Sequence, residues 1–437
     1  MTVLPSNPTN AEIARDAGDS AVAAPVAAPA AATASATNGV STAARSQPRP
    51  GVSAARCPVL FTSFEPSGDD HAAVVIAELK HRHPSLPIYA WGGPKMAAAG
   101  AQLIERTTDD GVMGVPGVRK VIDHIRLNRR IEEWLDRTRV VLHVPVDSPE
   151  ANFPIARLVK ERGGRVVHLV APQLWAWREG RIKKLKRLSD LVLCLLPFEE
   201  HWFRQRGVPA RFVGHPLFER PVDTGTLDEL LKLWPKGEPS IALMPGSRPG
   251  EIDKCFPLLL DAFERIRRNF PNAIGVVPVT HPGVQDRLHR LANEFHAWPE
   301  GMFVVAGNTD AAIRWCDFAL VASGTVTLQV ARQAKPMITF YRASQSIRVP
   351  YALFGRMLFK TPYFTLPNLI AGKRIVPELI PHFGDGFELA AGAYRLLRQP
   401  GFAEGQRQAL RGMVAKFDSM SCGSLSADAI EQILGLR

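Results

Sequence analysis

The sequence predicts an α/β protein of two Rossmann-like parallel-sheet domains facing each other across a cleft. Three observations carry this. Short apolar runs alternate with longer helical patterns from residue 58 onward. The alternation breaks once, over residues 219–239, where Pro221, Pro235 and Pro239 mark a linker, and then restarts. The apolar runs end in turns rich in Gly, Pro, Ser and Asp, as strands feeding helices do. Such alternation buries both faces of a parallel sheet under helices.

Composition fits this class. The chain has 437 residues and is 46% apolar, enough for two ordinary domains. Its longest apolar runs, such as residues 191–196, fall far short of the roughly 18–20 residues that span a bilayer. A transmembrane helix is excluded; a peripheral protein is not. The five cysteines, Cys57, Cys194, Cys255, Cys316 and Cys422, are widely spaced and form no C-x-x-C pair. That argues against a disulfide framework or zinc finger and for a reducing compartment. Lys plus Arg is 53 against 42 Asp plus Glu, a net charge of +11. This suits an anionic ligand, a membrane surface or nucleic acid, and does not choose among them.

The elements follow in order. Residues 1–55 are an Ala/Pro-rich leader; over 20–55 there is no aromatic and no apolar period, so disorder is expected. Glu12, Asp16 and Asp19 sit where a signal peptide carries basic residues. Residues 59–63 read as the first strand, ending at Pro66-Ser67-Gly68-Asp69, with a helix through Val75, Ile76 and Leu79. Residues 88–91 form a second strand, stopped by Gly92-Gly93-Pro94. Residues 140–146, 166–170 and 191–196 are further strands, each followed by a helix, and residues 211–213 close the first domain (56–220). After the linker, residues 241–244 form a strand ending in Pro245-Gly246-Ser247-Arg248, with a helix expected over 256–269. Residues 274–279, 303–305, 318–322 and 337–341 complete the strands of a second domain (221–400). Residues 401–437 are expected to be helices packing back toward the first domain.

Ligands of such sheets bind beyond the carboxyl ends of the strands, so the strand-end turns carry the chemistry. Residues 322–328 pass from a strand through a small-residue turn into a helix. Unpaired amides and the helix dipole suit that turn to a diphosphate, with Gly324 allowing close approach and Thr325 and Thr327 offering hydroxyls. Gly246, Ser247 and Arg248, with Glu251 one turn on, form a second such turn in which Arg248 supplies a guanidinium. G-x-x-x-x-G-K-[ST] is absent, as is G-x-G-x-x-G after the first strand, against a P-loop NTPase or dinucleotide oxidoreductase. In the first half, Glu65, Ser67 and Asp69 follow one strand, and Asp147, Glu150 and Asn152 another. A carboxylate there can take a proton from an acceptor hydroxyl. The competing reading of these residues is ordinary helix capping.

These pieces occur in an order that resembles the lipid-A-disaccharide synthases, inverting glycosyltransferases of the GT-B fold. The likeness rests on Glu65-Pro66-Ser67-Gly68-Asp69, Gly92-Gly93-Pro94-Lys95-Met96, Val112-Met113-Gly114 and Asp147-Ser148-Pro149-Glu150-Ala151-Asn152. It continues through Pro172-Gln173-Leu174-Trp175-Ala176-Trp177-Arg178, Leu196-Pro197-Phe198-Glu199 and Phe212-Val213-Gly214-His215-Pro216. Leu243-Met244-Pro245-Gly246-Ser247-Arg248, Ala322-Ser323-Gly324-Thr325 and Leu366-Pro367-Asn368-Leu369-Ile370-Ala371-Gly372 complete it. The resemblance implies transfer from UDP-2,3-diacylglucosamine to 2,3-diacylglucosamine 1-phosphate, giving a β-1,6 disaccharide and UDP. It implies Asp147 as the base, with Glu65 and Asp69 beside it, and Ser67, Gly68, Asn152 and Met113 on the acceptor side. It implies Gly246, Ser247, Arg248, Glu251, Ser323, Gly324, Thr325, Thr327, Gln329 and Asn368 on the donor side. No metal or cofactor is implied.

The chain departs from the family pattern in places. Gln329 stands where the family has a Glu for the ribose hydroxyls. The 147–152 motif lacks the family's Phe, Phe64 and Pro66 are expected to stiffen and crowd the first turn, and the leader is extra. A paralogous UDP-sugar enzyme, a 2-epimerase-like enzyme, or a noncatalytic lipid-precursor binder are the alternatives. A nucleic-acid-binding module is not found. Acylated substrates imply a membrane surface, here the cytoplasmic face of the inner membrane. Residues 112–130, with Val118, Val121, Ile122, Ile125 and Leu127 among Arg119, Lys120, Arg126, Arg129 and Arg130, read either as an interfacial anchor or as a core helix with a basic face. The basic stretch 178–187 reads as a solvated helix face beside Trp175 and Trp177. Oligomeric state stays open.

Overall fold

The computed structural model describes residues 53–108, 118–177, 179–280, 282–295, 297–348 and 361–436. Residues 1–52 of the expected leader, and Met113 with its motif, lie outside the described residues.

The first domain runs β1 (Val59–Thr62), α1 (Pro66–Arg82), β2 (Ile88–Gly92), α2 (Pro94–Ala98), β3 (Gln102–Arg106), α3 (Val118–Arg137), β4 (Leu142–Pro145) and α4 (Pro149–Glu161). It continues β5 (Arg165–Leu169), α5 (Leu174–Trp177), α6 (Ile182–Leu188), β6 (Leu191–Cys194), α7 (Pro197–Arg204) and β7 (Ala210–Phe212). The connection holds α8 (Pro216–Glu219) and α9 (Thr224–Leu231), so the expected linker is partly helical. The second domain runs β8 (Ser240–Met244), α10 (Pro249–Asn269), β9 (Ile274–Val279), α11 (Gln285–Phe295), β10 (Met302–Ala306), α12 (Thr309–Trp315) and β11 (Phe318–Ala322). It ends α13 (Val326–Arg332), β12 (Met337–Arg342), α14 (Leu366–Ala371), β13 (Glu378–His382), α15 (Phe387–Arg398), α16 (Pro400–Val414) and α17 (Cys422–Leu434).

The strands pair in parallel in two sheets, ordered β3-β2-β1-β4-β5-β6-β7 and β10-β9-β8-β11-β12-β13. In each sheet the order reverses at the middle, between β1 and β4 and between β8 and β11. Those are the switch points at which doubly wound sheets bind ligands. The central strands are buried on both faces: β1, β8 and β11 have every residue covered. Two edge strands, β3 and β13, lay outside the expectation because their residues are half exposed and carry Gln102, Glu105 and Arg106, or Pro381.

Helices cover both faces. On the first sheet, α1 and α17 share one core with Phe61 and Val144, while α3 and α4 cover Leu60 and Trp91 on the other face. Of the expected C-terminal helices, α17 packs in the core of the first domain. Leu410 and Met413 of α16 lie in a core that joins Val321 and Val330 to Trp175 and Leu196 of the first domain. Helix starts are sharp because Pro sits in the first turn of α1, α4, α7 and α10. That places the start of α10 at Pro249, earlier than the expected residue 256. All five cysteines are buried and free.

Candidate functional site

The turn after β1 is set by close packing. Ser63 is buried, its hydroxyl donates to the Glu65 carbonyl at 3.1 Å, and its own carbonyl accepts from the Thr107 hydroxyl at 2.6 Å. A side chain at residue 68 would start 2.2 Å from the Ser63 oxygen, so Gly68 is dictated by that approach. Ser67 is exposed on the first turn of α1. Phe64 does not crowd this turn, as the sequence suggested: it is buried with Trp91, Leu127 and Ile131 in the core under α3. Asp69 does not face the cleft as an acid or base. It is buried and its carboxylate accepts from the backbone N–H groups of Gly93 (3.2 Å), Lys95 (3.0 Å) and Met96 (2.9 Å), capping α2. The residue is consumed by structure.

Asp147 follows β4 in a left-handed backbone conformation, φ 49°, and Ser148 repeats it with φ 34°. Burial holds the Asp147 carboxyl above the usual aspartate range, opposed by a hydrogen bond from the Ser148 N–H; nearby Glu65 raises it further and Arg248 lowers it. The Ser148 hydroxyl donates to Glu65 Oε1 at 3.2 Å, so the two strand-end turns touch. Asn152 is fully buried beneath Asp147 and is not an acceptor contact.

On the second domain, Gly246 adopts φ 103°, in the region that favours glycine. The Glu251 carboxylate accepts from the N–H groups of Ser247 and Arg248, both at 3.3 Å. Those amides are thus occupied, and the cationic group of this turn is the Arg248 guanidinium. Arg248 Nη1 donates to Glu251 at 3.3 Å, and Nη2 reaches across the cleft to Glu65 Oε2 at 3.2 Å. The β11 turn leaves Gly324 and Thr325 exposed, with Ser323 tied to β12 through its N–H on the Phe340 carbonyl at 2.8 Å. Thr327 is buried and its hydroxyl donates to the Gly324 carbonyl at 2.7 Å, so it shapes the turn from within. Gln329 is half-buried one turn along α13. Asn368 is turned away from the donor side: it is fully buried and its amide pairs with the backbone of Ile375 (2.7 Å) and Val376 (2.9 Å).

One titratable residue of those motifs was given no role in the sequence reading. Glu199, after β6, is buried; it accepts from Trp175 Nε1 at 3.1 Å and from the Leu196 N–H at 3.1 Å. Burial pushes its carboxyl up to about 8, and the Asp147 charge adds to the rise. Its signal in the sequence was the capping spacing from residue 196 to residue 199, which points to helix start rather than to the cleft. The arrangement brings together Asp147, its carboxyl raised by burial, a second carboxylate at Glu65 and one guanidinium at Arg248. Among the described residues no cluster of His, Cys, Asp and Glu could hold a metal ion.

Comparison with known proteins gives a consistent pattern. A family model described as lipid-A-disaccharide synthetase matches residues 59–408. The lipid-A-disaccharide synthase of Anaeromyxobacter dehalogenans is 35% identical over 388 residues, 86% of this chain and 97% of the relative. In fold, the chain is similar to the solved S. aureus MnaA–UDP co-structure, with TM-score 0.60, 10% identity and coverage of 87% and 98%. It is similar also to a UDP-GlcNAc 2-epimerase from Neisseria meningitidis bound to UDP-GlcNAc, with TM-score 0.55, 11% identity and coverage of 86% and 99%.

Proposed function

The chain belongs to the lipid-A-disaccharide synthetase family, and from that premise we propose which residues carry its chemistry. The protein is a glycosyltransferase of lipid A disaccharide formation that uses a UDP-sugar. An epimerase reading is not favoured, since the epimerase neighbours share only the fold, at 11–13% identity.

The donor we assign is UDP-2,3-diacylglucosamine, with its diphosphate on Arg248 and the exposed turn at Gly324 and Thr325. The acceptor is 2,3-diacylglucosamine 1-phosphate, lying over the turns at Glu65 to Ser67 and at Asp147. Asp147 takes the proton from the acceptor 6-hydroxyl as its oxygen forms the bond to the anomeric carbon. The bond from that carbon to the diphosphate breaks with inversion, and UDP leaves. A base works best when its pKa lies near the operating pH, and burial moves Asp147 in that direction. Arg248 offsets negative charge as it builds on the leaving diphosphate. Gln329 hydrogen-bonds the ribose without charge assistance.

The observation that carries this reading is the Arg248–Glu65 contact of 3.2 Å, which sets the donor-side guanidinium against the turn that Ser148, next to Asp147, also meets. The test is UDP release from purified protein with both lipid substrates in detergent micelles. Acceptor-dependent release lost in Asp147→Asn and in Arg248→Ala supports the assignment. Undiminished release in Asp147→Asn removes it as the base.

Acyl chains bring the enzyme to a membrane surface, which we place at the cytoplasmic face of the inner membrane. Helix α3 suits the contact: Ile125 is 62% exposed and lies beside exposed Arg126 and Arg129. Leu127 belongs to the buried face with Ile131 and Leu135, not to the anchor. Among the described residues no helix is long and apolar enough to cross a membrane.

A further inference from the structure

Beneath Asp147 lies a chain of three buried polar side chains that the proposed chemistry does not use. Thr62 ends β1, His143 lies in β4 and Asn152 sits in α4, and all three are fully buried. Asn152 Nδ2 donates to the carbonyls of Val146 (3.1 Å) and Asp147 (2.9 Å). Its Oδ1 accepts from the Thr62 hydroxyl at 2.5 Å. A hydroxyl carries one proton, and that of Thr62 is spent on Asn152. The remaining partner of Thr62, His143 Nε2 at 2.8 Å, must therefore donate. This fixes His143 as the neutral Nε2–H tautomer with a bare Nδ1, and Nδ1 has no hydrogen-bond partner. Burial agrees, pushing the imidazole down to about 3. The direction of Asn152 is fixed as well, since a flipped amide would set its oxygen against two carbonyl oxygens.

The two carbonyls that Asn152 grips bracket the Cα of Asp147. One belongs to the peptide plane before it and one to the plane after it, so the amide sets both φ and ψ of that residue. The Asp147 N–H is tied separately to the Leu169 carbonyl at 2.9 Å. This grip matters because the turn is unfavourable by itself. Two successive non-glycine residues are left-handed, and the second precedes Pro149, where an extended backbone is preferred.

We infer that Thr62, His143 and Asn152 are positioning residues that hold the left-handed Asp147–Ser148 step and so aim the Asp147 carboxyl into the cleft. The inference rests on the reading of Asp147 as the base. It replaces a role for Asn152 in acceptor binding. It also explains why an amide stands at residue 152: aspartate has no proton for the two carbonyls, and serine is too short to span them.

The test compares Thr62→Val, Thr62→Ser, Asn152→Ala and Asp147→Asn in steady-state UDP release. Thr62→Val leaves the Asn152 oxygen and the His143 N–H unpaired, and its kcat falls about ten- to a hundredfold with both KM values within about twofold, as expected for a misaimed base. Thr62→Ser keeps the hydroxyl and stays near wild type. A folded Thr62→Val or Asn152→Ala that turns over at the wild-type rate overturns the inference. So does a rise in acceptor KM at unchanged kcat, which marks acceptor binding instead. Should Thr62→Val not fold, nitrogen NMR of His143 in the wild-type protein decides. The Nε2–H tautomer, without titration at neutral pH, is required, and an Nδ1–H tautomer or an imidazolium refutes the relay. Wild-type turnover by Asp147→Asn removes the base reading itself. An inactive Asp147→Asn beside an unaffected Thr62→Val removes the positioning role alone.

Discussion

Arg82 clasps α17 to the first domain, and its loss has a calculable consequence. The chain crosses between the domains twice, once through α8 and again between α16 and α17, and the second crossing is anchored by α17 on α1. Arg82 donates to Glu78 (2.7 Å), Asp428 (2.7 Å), Glu431 (3.3 Å) and the Ser424 hydroxyl (2.6 Å). Its side chain is 18% exposed, while that of Glu431 is 2% exposed and also meets His83 Nε2 at 3.0 Å. Arg82→Ala therefore takes the guanidinium away from a buried carboxylate. Breaking a fully buried pair costs about 3–5 kcal/mol, and the partial exposure of Arg82 puts this case at about 3. At about 1.4 kcal/mol per decade, that is roughly a hundredfold shift toward undocked α17. The helix does not detach outright, because Cys422, Ala427, Ile430 and Leu434 remain in the core. Native-state hydrogen exchange reads the shift directly: amides of α17 lose about two decades of protection while those of β1 do not change. Adding Glu431→Gln, which removes that buried charge, restores part of the protection. Unchanged exchange in Arg82→Ala, or no recovery in the double variant, refutes the electrostatic account of the clasp.

Two further predictions concern the cleft. The acid limb of the pH profile of kcat/KM reports the free enzyme's base. Glu65→Gln removes an anion that raises Asp147 and moves that limb to lower pH; Arg248→Met removes a cation that lowers it and moves the limb to higher pH. Arg248→Met also lowers kcat/KM by about 10²–10³-fold. Profiles that shift in the same direction sink the assignment. Glu199, raised to about 8, stays protonated in the fold while its unfolded counterpart ionises at ordinary glutamate pH. Its contribution to stability is complete below that range and is lost as pH rises toward about 8. Glu199→Gln should flatten the decline of melting temperature between those limits, and a slope parallel to wild type counts against a protonated Glu199.

What was legible in the sequence follows from burial. β1, β4, β8 and β11 are covered on both faces and read as mostly apolar runs, so the four turns that meet at the switch points were found directly. The half-exposed edge strands β3 and β13 carried no such run. Within the turns, residue type did not reveal direction. Asp69, Asn152 and Asn368 look like ligand contacts, yet Asp69 and Asn368 spend their polar atoms on backbone groups, and Asn152 spends its own on two carbonyls and the Thr62 hydroxyl. A short polar side chain in a motif can face a substrate or hold the turn that does, and only the partner's position in space tells the two apart. Glu199 was hidden for the converse reason: its spacing fits a helix cap, and its nearness to Asp147 arises from the pairing of β4 with β5 and β5 with β6.

The charges across the cleft are arranged for exchange. Arg248 shares itself between Glu65 and Glu251, but its side chain is 71% exposed. An exposed pair of this kind is worth about 0–1 kcal/mol, while charge-assisted hydrogen bonds to a diphosphate contribute about 1.5–3 kcal/mol each. On the proposed reading, an arriving donor would therefore displace Glu65 from Arg248 at little cost. Glu251 keeps its two backbone N–H contacts, so the turn stays in place while the guanidinium changes partner. Once the diphosphate has neutralised Arg248, Glu65 stands beside Asp147 without its cation. Both changes favour the protonated form of Asp147, which would strengthen the proposed base when the donor is bound. The opposite shifts expected for Glu65→Gln and Arg248→Met are the two halves of that exchange taken separately.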